Sequence, residues 1–191
     1  MKKLLLAGVI ATTALSSTAF ANELGERAFN QVGVEYYEPA DEVGFDDMYG
    51  VNGSFTFADN FYARAQWLRY DDSPFTSADV DEYYIGVGYQ TALMNNVTGF
   101  ADVNYYEGSS GSMDVDGYVV RAGGIYHFNK SFDAELSVRH ADVEDSPSRQ
   151  QFELVGRYYI NDSWSAKVNY LRGFTKEEFN GALGFGVSYH F

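Results

Sequence analysis

The sequence predicts an all-β protein: a closed, antiparallel, up-and-down transmembrane β-barrel, with ten strands the first count and eight the alternative. Three observations carry that expectation. Period-two alternation recurs in ten-residue segments from residue 29 to the end of the chain. Short connections alternate strictly with long ones. Finally, 16 Tyr and 15 Phe stand against only 3 Pro, and no long apolar run follows the first 21 residues. A membrane-resident chain of that kind crosses with a closed sheet, because helices would need such runs.

Taken in order, Met1-Lys2-Lys3 is a positive opening, Leu4 to Ala14 a short apolar core and Ala19-Phe20-Ala21 a small-x-small cleavage site. This predicts a secretory signal peptide over residues 1–21 and a barrel domain over 22–191. The apolar core is too short for a transmembrane anchor. Cleavage there removes Lys2 and Lys3 and no acid, taking the net charge from −14 to −16 over 170 residues. With no cysteine, an exported chain has no disulfide framework, so closure of the sheet must supply rigidity.

The alternating segments are 29–37, 49–57, 61–70, 83–91, 97–106, 117–128, 132–142, 150–160, 164–172 and 182–191. Four connections are short and contain asparagine: 58–60, 91–96, 129–131 and 161–163. The five longer ones, 38–48, 71–82, 107–116, 143–149 and 173–181, are rich in acid, Gly, Ser and Pro. Short turns in the periplasm and long loops outside are the outer-membrane layout, and an even strand count returns both termini to the periplasm. A strand of ten residues, rising about 3.3 Å each and tilted about 40°, spans about 25 Å, the height of the apolar band.

One parity of each strand is almost uncharged, as in Val32/Val34/Tyr36, Ile85/Val87/Tyr89 and Trp164/Ala166/Val168/Tyr170. A soluble barrel would turn that face inward. Its aromatics, however, gather at its two ends: Phe57, Phe61, Phe128, Phe132 and Trp164 below, Tyr49, Tyr83, Tyr105, Tyr118 and Tyr170 above. Those are interfacial girdles. The middle is rich in Ala and Gly, which would fill a soluble core badly. The uncharged face is therefore expected on lipid.

The last segment alternates Leu183, Phe185, Val187, Tyr189 and Phe191 with small or polar residues, and Gly186 lies five residues before the end. It resembles the C-terminal signal strand of bacterial outer-membrane barrels, with Gly186, Tyr189 and Phe191 in the matching places and Gly184 where a polar residue is usual. From Asn22 to Phe191 the chain resembles the small outer-membrane β-barrel superfamily of OmpA-transmembrane and OmpX type, whose members usually have eight strands. That resemblance implies the outer membrane of a Gram-negative cell. It also implies outer-membrane lipid and lipopolysaccharide, together with the barrel assembly machinery, as partners.

With the apolar parity on lipid, the lumen receives Glu35, Arg64, Asp102, Arg121, Asp133, Glu135, Arg139, Glu153, Arg157 and Lys167, five acids and five bases. An unpaired buried charge costs several kcal/mol, so these are expected to pair. Centring each hairpin on its connection puts Asp102 opposite Arg121, Arg121 opposite Arg139 and His127 opposite Asp133. Centring 143–149 on Ser146 puts Glu135 opposite Arg157 and Arg139 opposite Glu153. Gly50, Ser54, Gly86, Gly88, Gly184 and Gly186 share the inward face and leave room for long side chains opposite. The expectation is a lumen largely filled by a salt-bridged network.

The five long connections hold 17 acids, Glu82 among them, offset only by Arg149 and Lys176, which gives an acidic solvated crown. Asp114-Val115-Asp116-Gly117 lacks the spacing of a calcium loop. Arg69, His140 and Arg172 share the lipid-facing parity near the outer rim and are candidate lipopolysaccharide contacts. Ser188 and His190 share a face two residues apart, but no acid is placed to orient the histidine. No cofactor or metal motif is present, and the net charge excludes nucleic-acid binding. The function expected is a non-enzymatic envelope barrel, with a narrow cation-favouring channel as the alternative and a lipid-modifying enzyme behind both.

Overall fold

The structure, a computed structural model, describes residues 19–39, 47–71, 79–111, 113–144, 147–174 and 181–191. Ten strands form one closed antiparallel barrel in which chain neighbours are sheet neighbours. They are β1 (Gln31–Pro39), β2 (Asp47–Ala58), β3 (Phe61–Asp71), β4 (Val80–Met94), β5 (Val97–Ser110), β6 (Met113–Asn129), β7 (Phe132–Val143), β8 (Arg149–Tyr159), β9 (Trp164–Gly173) and β10 (Ala182–His190). β1 and β10 pair without a break from Gln31↔His190 to Pro39↔Ala182. No open edge is left at the seam. The ten-strand expectation stands and the eight-strand alternative falls.

The connection expected over 91–96 shrinks to a turn at 95–96, because β4 runs on to Met94, and two larger features differ from the expectation. β5 and β6 are 14 and 17 residues long, and their pairing runs on to Ser110↔Met113, turning at Gly111 with φ 61°. The polar stretch 107–116 is therefore mostly ladder. Above the membrane a hairpin needs no apolar face, so its side chains lose the pattern while its backbone keeps it.

The second is α1 (Ala19–Phe29), a helix where the alternation assigns no strand over 22–28. The signal peptide expected over 1–21 lies outside the described residues as far as position 18, and 19–21 open this helix. Asn30 joins α1 to β1, its side-chain oxygen accepting the Thr56 N–H at 2.7 Å.

The two faces of the sheet separate as the parity requires. Val34 (59 % exposed), Ile85 (65 %) and Leu136 (56 %) face outward, while Glu35, Asp102 and Glu153 are buried inside. Outward rings join at both ends, for example Phe61 with Tyr89 (5.1 Å) and Phe128 with Phe132 (5.2 Å) below, and Tyr49 with Trp67 (5.9 Å) above. The Ala- and Gly-rich outer middle and the charged interior together fit a barrel whose outside meets hydrocarbon. The chain is built as an outer-membrane β-barrel.

Inside, three layers follow one another. At the periplasmic end Ala28 and Phe29 of α1 join Tyr62, Phe100 and Ile125. The middle is ionic. The outer end is closed by Tyr37, Met48, Leu68 and Ala182, and beside them by Tyr106, Val119 and Val143, with Tyr84 packed against both groups.

Candidate functional site

The middle layer is the candidate site, because seven of the ten strands carry an inward charge there. Asp102 and Arg121 stand directly opposite, and Arg121 donates to the carboxylate through Nε (3.0 Å) and Nη2 (2.8 Å). Asp102 also accepts from Tyr62 and Asn104, each at 2.6 Å, and lies 3.9 Å from Arg64. Arg121 reaches Glu135 as well (3.3 Å), and Glu135 shares Arg157 (3.3 Å) with Asp133 (2.9 Å). Six of the ten charges thus form one chain. Arg139–Glu153 (2.9 Å) and Glu35–Lys167 (3.1 Å) are separate pairs.

Arg121 faces Arg139 and His127 faces Asp133 across β6 and β7, as centring on Lys130 places them. The β7–β8 register is a correction. Asp133 stands opposite Arg157 and Ser137 opposite Glu153, two positions from the expected Glu135 and Arg139. That hairpin is centred one residue before Ser146, and each residue of centring moves a pairing by two. Arg157 and Arg139 are long enough to reach Glu135 and Glu153 across the diagonal.

Room for these side chains comes from glycines set directly opposite them. Tyr62 faces Gly88, Tyr37 faces Gly184 and Lys167 faces Gly186. A Cβ added at Gly88 or Gly184 would run into the facing tyrosine ring.

Glu35 gathers donors from five other residues, Gln66 the most distant at 3.4 Å. Tyr37 (2.8 Å), Asn169 (2.9 Å) and Lys167 (3.1 Å) donate, and Asn52 contacts it closely. Alternation announces these residues only as inward-facing.

Glu82 is a second correction. The acid-rich stretch 71–82 reads as solvated rim, but Glu82 is 7 % exposed and accepts hydroxyls from Tyr70 (2.7 Å), Tyr84 (2.8 Å) and Tyr106 (3.0 Å). Its shared parity with Tyr84, Gly86 and Gly88 is the signal that could have found it. Among the described residues, three phenol donors satisfy this carboxylate without a cation, beside the apolar clusters of the outer end.

The rim cations divide. Arg69 contacts Asp79, with Asp81 at 3.6 Å and Asp71 at 3.8 Å, so aspartates of the chain already hold its guanidinium. His140 stands opposite Gln150 and Arg172 opposite Phe152, both on the outward parity. Asp41, Glu42, Asp46, Asp72, Asp145, Glu177 and Glu178 of the expected crown lie outside the described residues. Among the described residues no group of three or more His, Asp or Glu is placed to hold a metal ion.

His190 does not pair with Ser188. Its Nε2 lies 2.8 Å from Ser165 Oγ, and its Nδ1 donates to the Arg27 carbonyl at 2.9 Å. Thr98 Oγ1 and His127 Nε2 are 2.9 Å apart, with Asp133 3.8 Å from Nδ1. All three are at most 2 % exposed. With α1 in place, Thr98, His127 and Asp133 are thus shut off from solvent.

Among these side chains lies a cavity of about 60 Å³, lined by charged residues including Arg64, Glu135, Glu153 and Lys167, with Ala28 and Phe29 of α1 at its periplasmic end. That is room for a few water molecules.

No protein-family profile matches the chain, and no curated protein matches it in sequence. Solved structures do share its shape. The KdgM porin superposes with a TM-score of 0.54 over 84 % of this chain and 99 % of its own, at 11 % identity. A second KdgM structure, in complex with disordered oligogalacturonate, gives 0.52 over the same shares at 11 % identity. An outer-membrane channel from Pseudomonas putida F1 gives 0.50 over 92 % of this chain and 96 % of its own, at 12 % identity. At such identities the likeness is one of fold.

Proposed function

We propose that this protein is a non-enzymatic integral barrel of the Gram-negative outer membrane whose interior is a closed, ion-paired filling rather than an open pore. The observation that carries this reading is the middle layer of the lumen: all ten of its charges have an ion-pair partner, and the cavity they line measures about 60 Å³. A hydrated ion passing through would have to part buried pairs whose separated charges cost several kcal/mol each. Leader cleavage after Ala21 and delivery by the barrel assembly machinery through Gly186, Tyr189 and Phe191 belong to the same reading. Lipopolysaccharide contact then falls to His140 and Arg172, with Arg69 contributing only where a phosphate displaces Asp79.

A narrow cation-favouring channel is the second reading, supported by a barrel shape like that of KdgM. The net charge, −16 once Lys2 and Lys3 leave with the leader, favours cations at its mouth and opposes a polyanion such as the oligogalacturonate held by that porin. Single-channel recording of the purified protein in planar bilayers decides between the two. The closed reading expects no reproducible current steps, and regular steps with cation preference would replace it with the channel.

A further inference from the structure

We propose that α1 is a removable stopper: the periplasmic mouth is a peptide-binding socket occupied by the chain's own helix, whose docking controls access to the ion-lined cavity. This rests on the closed-barrel reading and adds the side from which the cavity opens.

The socket has a distinct place for each of three residues. Phe29 lies between Tyr62 (centroids 4.3 Å apart) and Phe100 (5.5 Å, edge to face). Gly25 sits against Thr98, where an added Cβ would stand 2.9 Å from the hydroxyl oxygen. The Arg27 guanidinium stacks on Tyr159 at 3.8 Å and donates to the carbonyls of Lys130 and Asn161, in two different periplasmic turns. Gly25, Arg27 and Phe29 thus each meet a different part of the mouth.

The barrel does not need this helix to close, since the β1–β10 ladder is complete without it. The link is Asn30, which stays tied to β2. Once the leader is cut after Ala21, α1 keeps the eight residues 22–29 with Gly25 inside, a length marginal in water, so outside its socket it frays. Ala28 and Phe29 form the cavity floor, and across it lie Arg64, Arg121, Arg157 and Lys167. Undocking therefore exposes charged side chains to the periplasm while the Tyr–Glu82 cluster stays in place at the other end.

The native chain has no cysteine, so Ser54→Cys gives one thiol on the cavity wall. Its alkylation by iodoacetamide is timed in the full-length barrel, alone and combined with Arg27→Ala/Phe29→Ala, with heat-modifiable gel mobility confirming the folded state. Cleavage after the exposed Glu26 by a glutamate-specific protease reports the undocked helix in parallel. Slow alkylation in the single variant and at least tenfold faster alkylation in the combined one are expected, with faster cleavage. Arg27→Ala alone, which keeps the phenylalanine, gives an intermediate rate and serves should the combined chain not fold. Faster cleavage with unchanged alkylation overturns the proposal, and so does unchanged cleavage. Fast alkylation in Ser54→Cys alone overturns the closed-barrel reading instead.

Discussion

Arg157 sits between two carboxylates, Asp133 at 2.9 Å and Glu135 at 3.3 Å, all with side chains less than a tenth exposed. Removing it leaves two buried acids short of a cation, so Arg157→Ala is expected to cost about 3–5 kcal/mol in urea unfolding from lipid vesicles. Exchanging the charges of Glu135 and Arg157 together does not restore stability, because the new glutamate then faces Asp133. Full recovery by the exchange would mean that Asp133 is no partner. At the outer mouth Glu82→Gln replaces one of two acceptor oxygens by a donor, among three tyrosine hydroxyls that all need to donate. A loss of about 1–3 kcal/mol is expected in the same assay. An unchanged midpoint would put Glu82 back among the solvated rim acids, where its sequence neighbourhood places it.

Each strand carries two messages, one per face, and the outer one is easier to read. Lipid tolerates no charge, so alternation marks strand ends to within a few residues. Inside, hairpin geometry decides who meets whom. Asp102 and Arg121 are found by centring because their hairpin is an unbroken ladder, whereas 143–149 turns one residue off centre and carries its partners past the expected positions. α1 escapes because eight residues over 22–29, with Gly25 among them, show no period, and only the assembled mouth gives that segment a surface to bury against. The glycines separate the two faces experimentally. Gly88→Val drives a side chain into the Tyr62 ring and is expected to cost about 1–3 kcal/mol. Gly156→Ala, with nothing within 4 Å of the added carbon, is expected to be neutral or to stabilise by about 0.4–1 kcal/mol through the unfolded chain. Equal losses at both positions would mean that glycine serves strand bending here rather than space.

At the scale of the molecule, the membrane uses less of the barrel than the barrel has. β6 has 17 residues, which at about 3.3 Å each and a tilt of about 40° reach about 43 Å, against an apolar band of about 25 Å. The β5–β6 hairpin therefore stands well clear of the hydrocarbon, and its outer rungs bear no load from lipid. Replacing Ser109–Asp114 by Asn-Gly lets the Gly108↔Val115 pair close a two-residue turn. The shortened chain is expected to fold into vesicles with an unfolding free energy within about 0.5 kcal/mol of the parent, since the change lies outside both core and membrane. Bilayer thickness acts on the other part of the molecule. Vesicles of short-chain lipids match the apolar band and long-chain lipids exceed it, so stability should fall with chain length by fractions of a kcal/mol per Å of mismatch, about equally in parent and shortened chains. A shortened hairpin that changed the dependence on lipid length would place those outer rungs inside the membrane and move the whole barrel along its axis.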